Sequence, residues 1–332
     1  MGKRDEALDI AKGIAIVFMV IGHGYSRDNQ ILKVIYAFHM PAFFMISGMI
    51  YSEKFFLDNY VYSFRKFVQI MIPYFIYSMV YVTFVAVLNP LARESKVFCE
   101  SVMRILNLKG VSVYWYLPCV GIIETIFMKI YQTKREVKYH MLIVINLVAF
   151  LLLWNRSDEW LVIRRILIGF VFWEIGFFGR KCLKNDYSIK SLCILSIVFV
   201  IAVNKNESVS LVSMKLGNPV LYFVHSIIGS ILLLQVAARA VNCEKMKYIK
   251  KGIMFYGKNT LCILCTHMYL VEIIRLLDYK LFDNILYTLG LMEGIILGGM
   301  VMILEVIIIK TVNDYFPYTL GKIPVSSVWH KR

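Results

Sequence analysis

Charged side chains are scarce in this sequence, at 18% of its 332 residues, whereas hydrophobic residues make up 59%. Repeated apolar runs of about 20 residues exclude a soluble domain and predict a polytopic membrane protein. Low-complexity segments, internal repeats and RNA- or DNA-binding motifs are also missing from the sequence. We therefore attribute the net charge of +15 to loops that face an anionic membrane leaflet, and we expect no nucleic-acid partner.

The seven cysteines are odd in number and lie mostly in apolar runs, so they indicate no disulfide framework. Cys262 and Cys265 form a CxxC pattern shortly before His267. In an apolar helix we interpret these cysteines as small packing residues, and we predict no metal site. The first apolar run lacks a small-residue cleavage site and is interrupted by Lys12, so we do not interpret it as a cleaved signal peptide.

Ten apolar segments predict an all-α fold, a single-domain bundle of about ten transmembrane helices over residues 1–332. Lys and Arg are enriched in the segments that face inwards if the N-terminus is cytoplasmic, which favours both termini inside. The approximate limits of these spans are 7–25, 31–51, 64–88, 112–131, 138–154, 160–179, 189–204, 218–238, 253–275 and 287–310.

The first span carries three ionisable residues, Asp9, Lys12 and His23. Each ionisable group inside a membrane is unfavourable by at least ~2.5 kcal/mol, so it is a functional candidate by default. Lys12 and His23 lie within about 20° on one helix face and roughly 16 Å apart along the axis. This spacing suits a long thioester carrier, with phosphates at the lysine and the reactive end at the histidine. Asp9 can pair with Lys12. The alternative is a signal-anchor helix with a snorkelling lysine.

The next two spans add further candidates. His39 lies within the second span, and Pro41 is predicted to free a backbone carbonyl one turn earlier. Arg65 and Lys66 open the third span, where they are either a positive-inside anchor or a phosphate clamp. We group Asp9 with His23 and His39 as catalytic candidates.

The longest outer connection, 89–111, has helical apolar spacing and predicts an amphipathic surface helix. Tyr114, Trp115 and Tyr116 follow it. They are either a membrane-interface aromatic belt or a stacking platform for a sugar ring, and we retain all three as substrate-binding candidates.

Charged and polar residues continue in the later spans. Arg165 lies near the outer part of the sixth span, and Glu174 lies deeper, where a carboxylate needs a partner. Asn259 is predicted to cap the ninth span, and the adjacent Lys258 can receive a phosphate. His267 is either a helix-contact residue or a site residue. We retain Lys258 for cofactor binding and Arg165, Glu174 and His267 for substrate binding.

Two motifs resemble a known family. LDIAKGIAIVFMVIGH resembles the opening signature of the integral-membrane acyltransferase-3 family, in which a basic residue precedes a histidine. FHMPAFFMISG resembles the subgroup that includes fucose 4-O-acetylase-like and enterobacterial-common-antigen O-acetyltransferases. RKFVQIMIPY, YWYLPCV and GKNTLCILCTHMYL lie where that family places its later motifs, and the resemblance runs from about residue 5 to 310.

The resemblance implies a ten-helix protein of the bacterial inner membrane that uses acetyl-CoA as co-substrate. Its acceptor would be a hydroxyl on a surface glycan or lipid-linked oligosaccharide. The family's first-motif histidine corresponds to His23 and its basic partner, usually Arg, to Lys12. The third-helix basic pair, often two Arg residues, corresponds to Arg65 and Lys66, and the second-helix histidine to His39. Lysine in place of arginine keeps the charge but loses the bidentate fork.

The resulting hypothesis places CoA phosphates near Lys12, Arg65 and Lys66, with the pantetheine arm running along the first helix. His23 is the general base, and His39 orients it or stabilises the oxyanion. A covalent acetyl-histidine variant stays open. Two other classes also stay open: a glycolipid transporter or flippase with a polar intramembrane path, and a purely structural membrane subunit.

Overall fold

The computed structural model describes residues 5–51, 60–153 and 157–322. Within these ranges the chain forms fourteen α-helices and no β-strand, and Ser210 and Lys215 form an isolated β-bridge. The helices are α1 (Glu6–His23), α2 (Gln30–Ile50), α3 (Tyr60–Leu88), α4 (Pro90–Arg93), α5 (Ser95–Leu106), α6 (Tyr116–Tyr131), α7 (Arg135–Leu152), α8 (Leu161–Leu183), α9 (Ile189–Lys205), α10 (Pro219–Val241), α11 (Lys247–Lys258), α12 (Thr260–Leu281), α13 (Ile285–Thr288) and α14 (Glu293–Tyr315).

Each predicted span has a long helix as its counterpart, and Trp154 at the end of the fifth span lies outside the described residues. Among the described residues, six segments are long and apolar enough to cross a membrane: Gln30–Ile50, Phe64–Leu88, Ser112–Tyr131, Pro219–Val241, Thr260–Phe282 and Gly290–Tyr315. The other four counterparts do not qualify. Helices α1, α7 and α8 carry too many charged side chains, and α9 is too short, at 17 residues. A multi-pass helical membrane fold is therefore supported, while the count of ten spans stays a prediction.

The predicted limits of the ninth span, 253–275, are wrong, because the chain breaks at Asn259. Asn259 does not cap α12 with its side chain. Its side-chain amide donates to the carbonyl of Phe255 at 2.8 Å, and its Oδ1 accepts from Asn313 at 3.0 Å. The hydrogen bonds predicted for a cap thus connect α11 and α14 instead.

α11 forms a separate helix because it packs across the first half of α1. At Gly257 an added Cβ would lie 1.8 Å from the carbonyl oxygen of Asp9, so the contact requires glycine. Small residues at helix crossings allow such close backbone approach in membrane proteins. The opposite surface of α11 exposes Tyr248 and Ile249 beside several lysines, as expected for a helix in the membrane interface.

The predicted amphipathic helix in the 89–111 connection is confirmed as α5. Its Ile105 is fully buried, and the carbonyl of that residue accepts a 2.7 Å hydrogen bond from the hydroxyl of Tyr74 on α3. Val97 and Met103 are exposed on the other side. α5 therefore covers the end of the bundle at which α3 and α6 are connected.

Pro41 frees a backbone carbonyl in α2, as predicted, and α10 supplies its donors. Proline has no N–H, so the carbonyl of Ala37 loses its partner within the helix. That carbonyl accepts from the Ser226 hydroxyl at 2.8 Å and from Nδ1 of His225 at 3.0 Å. The proline thereby creates a polar connection between α2 and α10 beside the candidate site.

Candidate active site

A cavity of about 140 Å³ lies at the end of α1 that carries His23. We call it the histidine cavity. The 206–218 loop covers part of it, and the segment that precedes α6 contributes one wall. Its lining residues are Met19, His23, Tyr36, His39, Met40, Val113, Trp115, Val209, Ser210, Leu211, Val212 and Leu264. The walls are thus mostly apolar, with two imidazoles, two hydroxyl-bearing residues and one indole as the polar side chains, a composition typical of a small-molecule site.

Four aromatic rings form a chain at this cavity. The centroid of the His23 ring lies 5.4 Å from that of His267 and 6.3 Å from that of Tyr36. The Tyr36 ring in turn lies 5.2 Å from His39. His23 is the last residue of α1, while Tyr36 and His39 are one turn apart on α2. The first two predicted spans therefore both line one cavity, as expected for two walls of one site.

Two of these histidines have the same backbone contact. Nδ1 of His39 donates to the carbonyl of Ile35 at 2.8 Å, and Nδ1 of His267 donates to the carbonyl of Ile263 at 2.7 Å. A carbonyl only accepts, so each Nδ1 must carry the hydrogen, and each neutral ring keeps its lone pair on Nε2. Both rings are therefore held as hydrogen-bond acceptors on their other side.

The structure does not bring Lys12 into the histidine cavity. Its ammonium group pairs with Asp9 at 2.8 Å, and Asp9 is buried. On the face between Lys12 and His23, the side chains of Ile16 and Met19 are almost completely buried in the bundle. The ion pair predicted between Asp9 and Lys12 is present. Lys12 and His23 share a helix face, but packed side chains separate Lys12 from His23.

The other cofactor-binding candidates also lie away from the cavity lining. Lys66 pairs with Glu124 on α6 at 2.8 Å and lies over the ring of Tyr51 at 4.6 Å. Arg65 is partly exposed beside it, and Lys258 is exposed at the end of α11. These cations remain candidates for phosphates at the surface, and they are not part of the histidine cavity.

The aromatic platform predicted at 114–116 needs correction, because only Trp115 lines the cavity. Tyr114 is fully buried, and its hydroxyl donates to the carbonyl of Cys265 at 3.0 Å. Tyr116 lies 3.4 Å from the Ser47 hydroxyl and packs against α2. Consecutive helical residues point about 100° apart, so three in a row cannot face one ligand. Tyr114 and Tyr116 pack within the bundle and do not line the histidine cavity.

Arg165 contacts loops rather than the cavity interior. Its guanidinium donates to the carbonyl of Lys109 at 2.6 Å and to that of Val212, and it lies 5.2 Å from the centre of the Trp115 ring. The neighbouring Arg164 donates to the carbonyl of Met214. The two arginines therefore fasten the loops beside the cavity, whereas the sequence analysis retained Arg165 for substrate binding.

Glu174, another of the substrate-binding candidates, lies away from the cavity. Its carboxylate accepts a 2.7 Å hydrogen bond from Asn146, between α7 and α8, and it does not line the cavity. We expected the Glu174 carboxylate to need a partner, and Asn146 is that partner. This hydrogen bond accounts for a partly buried carboxylate at this position without a ligand. His267, the last of these candidates, lies behind His23 and is absent from the lining residues.

Several residues of the site were missed from the sequence. Tyr36 is three positions before His39 and could have been found from helical spacing. Loop residues 209–212 carry no sequence signal for their position over the cavity. His225 is buried beside the site, but its Nε2 accepts from Asn206 at 3.0 Å and its Nδ1 donates to Ala37, so both ring nitrogens are occupied structurally.

Comparison with known proteins gives one match. The sequence model of the acyltransferase-3 family, described as an acyltransferase domain, matches residues 5–310. No curated protein and no solved structure matches the chain significantly. The family match contains every helix that contributes to the histidine cavity and covers well over half of the chain. The chain therefore belongs to the acyltransferase-3 family of membrane acyltransferases.

Proposed function

We propose that this protein is an O-acetyltransferase that moves the acetyl group of acetyl-CoA to a hydroxyl of a surface polysaccharide or its lipid-linked precursor. In this proposal ten helices cross the bacterial inner membrane and both termini are cytoplasmic. The observation that carries the proposal is the position of His23, at the end of a membrane helix and facing a small cavity, in a chain of the acyltransferase family.

The chemistry at His23 is general-base catalysis. Its imidazole takes the proton of the acceptor hydroxyl while the hydroxyl oxygen attacks the thioester carbonyl. The tetrahedral oxyanion then collapses, the carbon–sulfur bond breaks, and the imidazolium returns the proton to the departing thiolate. The products are an acetyl ester and free CoA. A cavity of about 140 Å³ has room for the acetyl group and the acceptor hydroxyl, not for the whole coenzyme.

The oxyanion needs a hydrogen-bond donor in the same cavity. Neutral His39 is a poor choice, because its only N–H donates to Ile35 and its Nε2 carries a lone pair. Tyr36 lies between His39 and His23, lines the cavity and carries a hydroxyl that is able to donate. We therefore assign oxyanion stabilisation to Tyr36 and the placement of the Tyr36 ring to His39.

Acetyl-CoA approaches from the end of α1 that carries Lys12, with its phosphates near Lys12, Arg65, Lys66 and Lys258. Asp9 and Glu124 hold two of these cations, so phosphate binding must share or displace a carboxylate. Ile16 and Met19 fill the face that leads to His23, so the pantetheine arm reaches the cavity only when these side chains move. The unbranched thioether of Met19 suits such a change of rotamer.

The proposal is tested with the purified full chain in lipid nanodiscs. Radiolabelled acetyl-CoA is added with the polysaccharide and glycolipid fraction from cells that lack this protein. We expect free thiol and labelled glycan in equal amounts, and a loss of at least ~100-fold for His23→Ala. His140→Ala is the matched control, because His140 is exposed on α7. Glycolipid movement across the bilayer without thiol release would instead indicate a transporter, and unchanged transfer by His23→Ala would refute the base assignment.

A further inference from the structure

We propose that His267 is a positioning residue that holds the His23 ring through an N–H···N hydrogen bond and so selects which nitrogen of His23 faces the acceptor. The inference rests on the proposed function, in which His23 is the base. It assigns a role to a histidine that does not line the histidine cavity.

The first step is the protonation of His267. Its Nδ1 donates to the carbonyl of Ile263, so the neutral ring has its lone pair on Nε2. His267 is fully buried, and its Nε2 has no hydrogen-bond partner among the described residues. A buried acceptor without a donor is unfavourable, and such a group in a native structure calls for an explanation.

The second step is the distance to a donor. The ring centroids of His23 and His267 are 5.4 Å apart and their planes are tilted by 43°. A hydrogen bond of about 3 Å, plus roughly 1 Å from each nitrogen to its own ring centre, gives a similar separation. The terminal torsion of histidine has a broad minimum, so rotation of the His23 ring brings an N–H onto the His267 lone pair. Catalytic hydrogen bonds often tighten in this way only when substrate is bound.

The third step is the consequence for catalysis. When one nitrogen of His23 donates to His267, the other nitrogen must carry the lone pair, and this second nitrogen faces the cavity. The same contact stabilises the imidazolium that forms when His23 takes the acceptor proton. A third group that orients a catalytic base has this role in other acyl-transfer enzymes. A neutral imidazole performs it in an apolar site without burying a negative charge.

The position of His267 separates this role from substrate binding. His267 does not line the histidine cavity, whereas His23 does. A ligand in the cavity therefore contacts His23 and reaches His267 only through it. For this reason substitution should change the rate of the chemical step and leave the binding of both substrates almost unaltered.

The test compares His267→Gln with His267→Leu. Both variants lose the Nδ1–H bond to Ile263, so the loss of that bond alone gives no reason for their kcat values to differ. Only glutamine offers an amide oxygen near the position of Nε2. We expect His267→Leu to lower kcat at least ~100-fold, with the KM values for acetyl-CoA and for the polysaccharide fraction within about twofold of wild type. His267→Gln should recover at least about tenfold of that loss.

Equal losses in the two variants, or a wild-type kcat in His267→Leu, would overturn the positioning role. Neither result decides the proposed function, which fails if the wild-type chain releases no thiol from acetyl-CoA, or its base assignment, which fails if His23→Ala transfers acetyl groups at the wild-type rate. A measurement on the wild-type chain avoids dependence on variant folding. With ¹⁵N-labelled histidine and bound CoA, solid-state NMR should show nitrogen–nitrogen coupling between His23 and His267, and a spectrum without it would contradict the hydrogen bond.

Discussion

The carbonyl of Ala37 on α2 accepts a 3.0 Å hydrogen bond from Nδ1 of His225 on α10. Asn206 donates to the other ring nitrogen of the same histidine at 3.0 Å. His225 is therefore a buried histidine with both nitrogens occupied, next to three histidines that form or support a cavity. Burial alone does not distinguish these residues, whereas the state of each ring nitrogen does.

Replacing His225 should reduce stability rather than chemistry. In His225→Leu the Asn206 amide loses an acceptor and the Ala37 carbonyl keeps only Ser226 as a donor. Each poorly satisfied buried group is unfavourable by about 1–3 kcal/mol, so we expect a loss of roughly 2 kcal/mol in the free energy of unfolding. Denaturant titration measures this loss, and kcat of the folded fraction should stay within about threefold of wild type. A large fall in kcat at unchanged stability would show that His225 takes part in the reaction.

Local rules predicted much of the fold from the sequence. Apolar length located the long helices, and the missing N–H of Pro41 predicted the free carbonyl of Ala37. Helical periodicity placed Lys12 and His23 on one face and paired Asp9 with Lys12, as the structure has them. These features depend on residues within about three turns of one another, where backbone geometry alone fixes the relationship.

The remaining features depend on packing between distant segments. Nothing local in the sequence shows that His225 donates to the carbonyl that Pro41 leaves free. The same holds for the position of His267 behind His23 and for loop 206–218, which covers the cavity. The break at Asn259 was also missed, because an apolar run does not reveal that the Gly257 backbone crosses α1. Likewise, the sequence alone did not show which of the aromatic residues 114–116 faces the site.

The ion pair between Asp9 and Lys12 should make the single variants less stable than the double variant. Lys12→Ala leaves the buried Asp9 carboxylate without this cation. Breaking a fully buried pair is unfavourable by about 3–5 kcal/mol, and we expect roughly 2–3 kcal/mol here because the Lys12 side chain is 18% exposed. Lys12→Ala/Asp9→Ala removes both charges and should recover part of the loss.

Unfolding of the full chain in detergent gives these free energies, and the KM for acetyl-CoA reports the proposed phosphate contact separately. Lys12→Ala should raise this KM about tenfold, and Lys12→Arg should stay near wild type. If the double variant lost as much free energy of unfolding as the two single variants added together, Asp9 and Lys12 would contribute no coupling energy.

Arg165 should keep the histidine cavity closed to water. Its guanidinium bridges the carbonyls of Lys109 and Val212, and a lysine ammonium lacks the planar fork that spans both. We therefore expect both Arg165→Lys and Arg165→Leu to loosen loop 206–218 while His23 stays in place. Loss of water exclusion should raise the ratio of thiol released to glycan acetylated about threefold or more. The two products are counted in one radiolabelled assay. If proteolysis of the loop became faster while the ratio stayed unchanged, Arg165 would anchor the loop without excluding water from the cavity.

Asp5 stabilises the start of α1 in two ways that pH and substitution can separate. Its carboxylate accepts from the backbone amides of Ala7 and Leu8, and it pairs with Lys184 at 2.6 Å. Partial burial raises the pKa of this carboxyl, but the hydrogen bond and charge of Lys184, together with the two amides, outweigh it and hold the pKa below its ordinary value of 3.8. Both contacts favour the charged form.

Asp5→Asn keeps an N-cap acceptor and loses the charge, whereas Asp5→Ala loses both. At neutral pH we expect Asp5→Ala to lower the free energy of unfolding by about 1 kcal/mol, and Asp5→Asn by only a few tenths, because the ion pair is partly exposed. A depressed pKa stabilises the fold above the unfolded value, and this contribution disappears as the pH falls through the folded pKa. The difference between wild type and Asp5→Asn should therefore shrink as the pH falls below the ordinary value of 3.8 and through the lower folded pKa. Thermal unfolding across pH 3–7 measures it, and a difference that grows on acidification would contradict the ion pair.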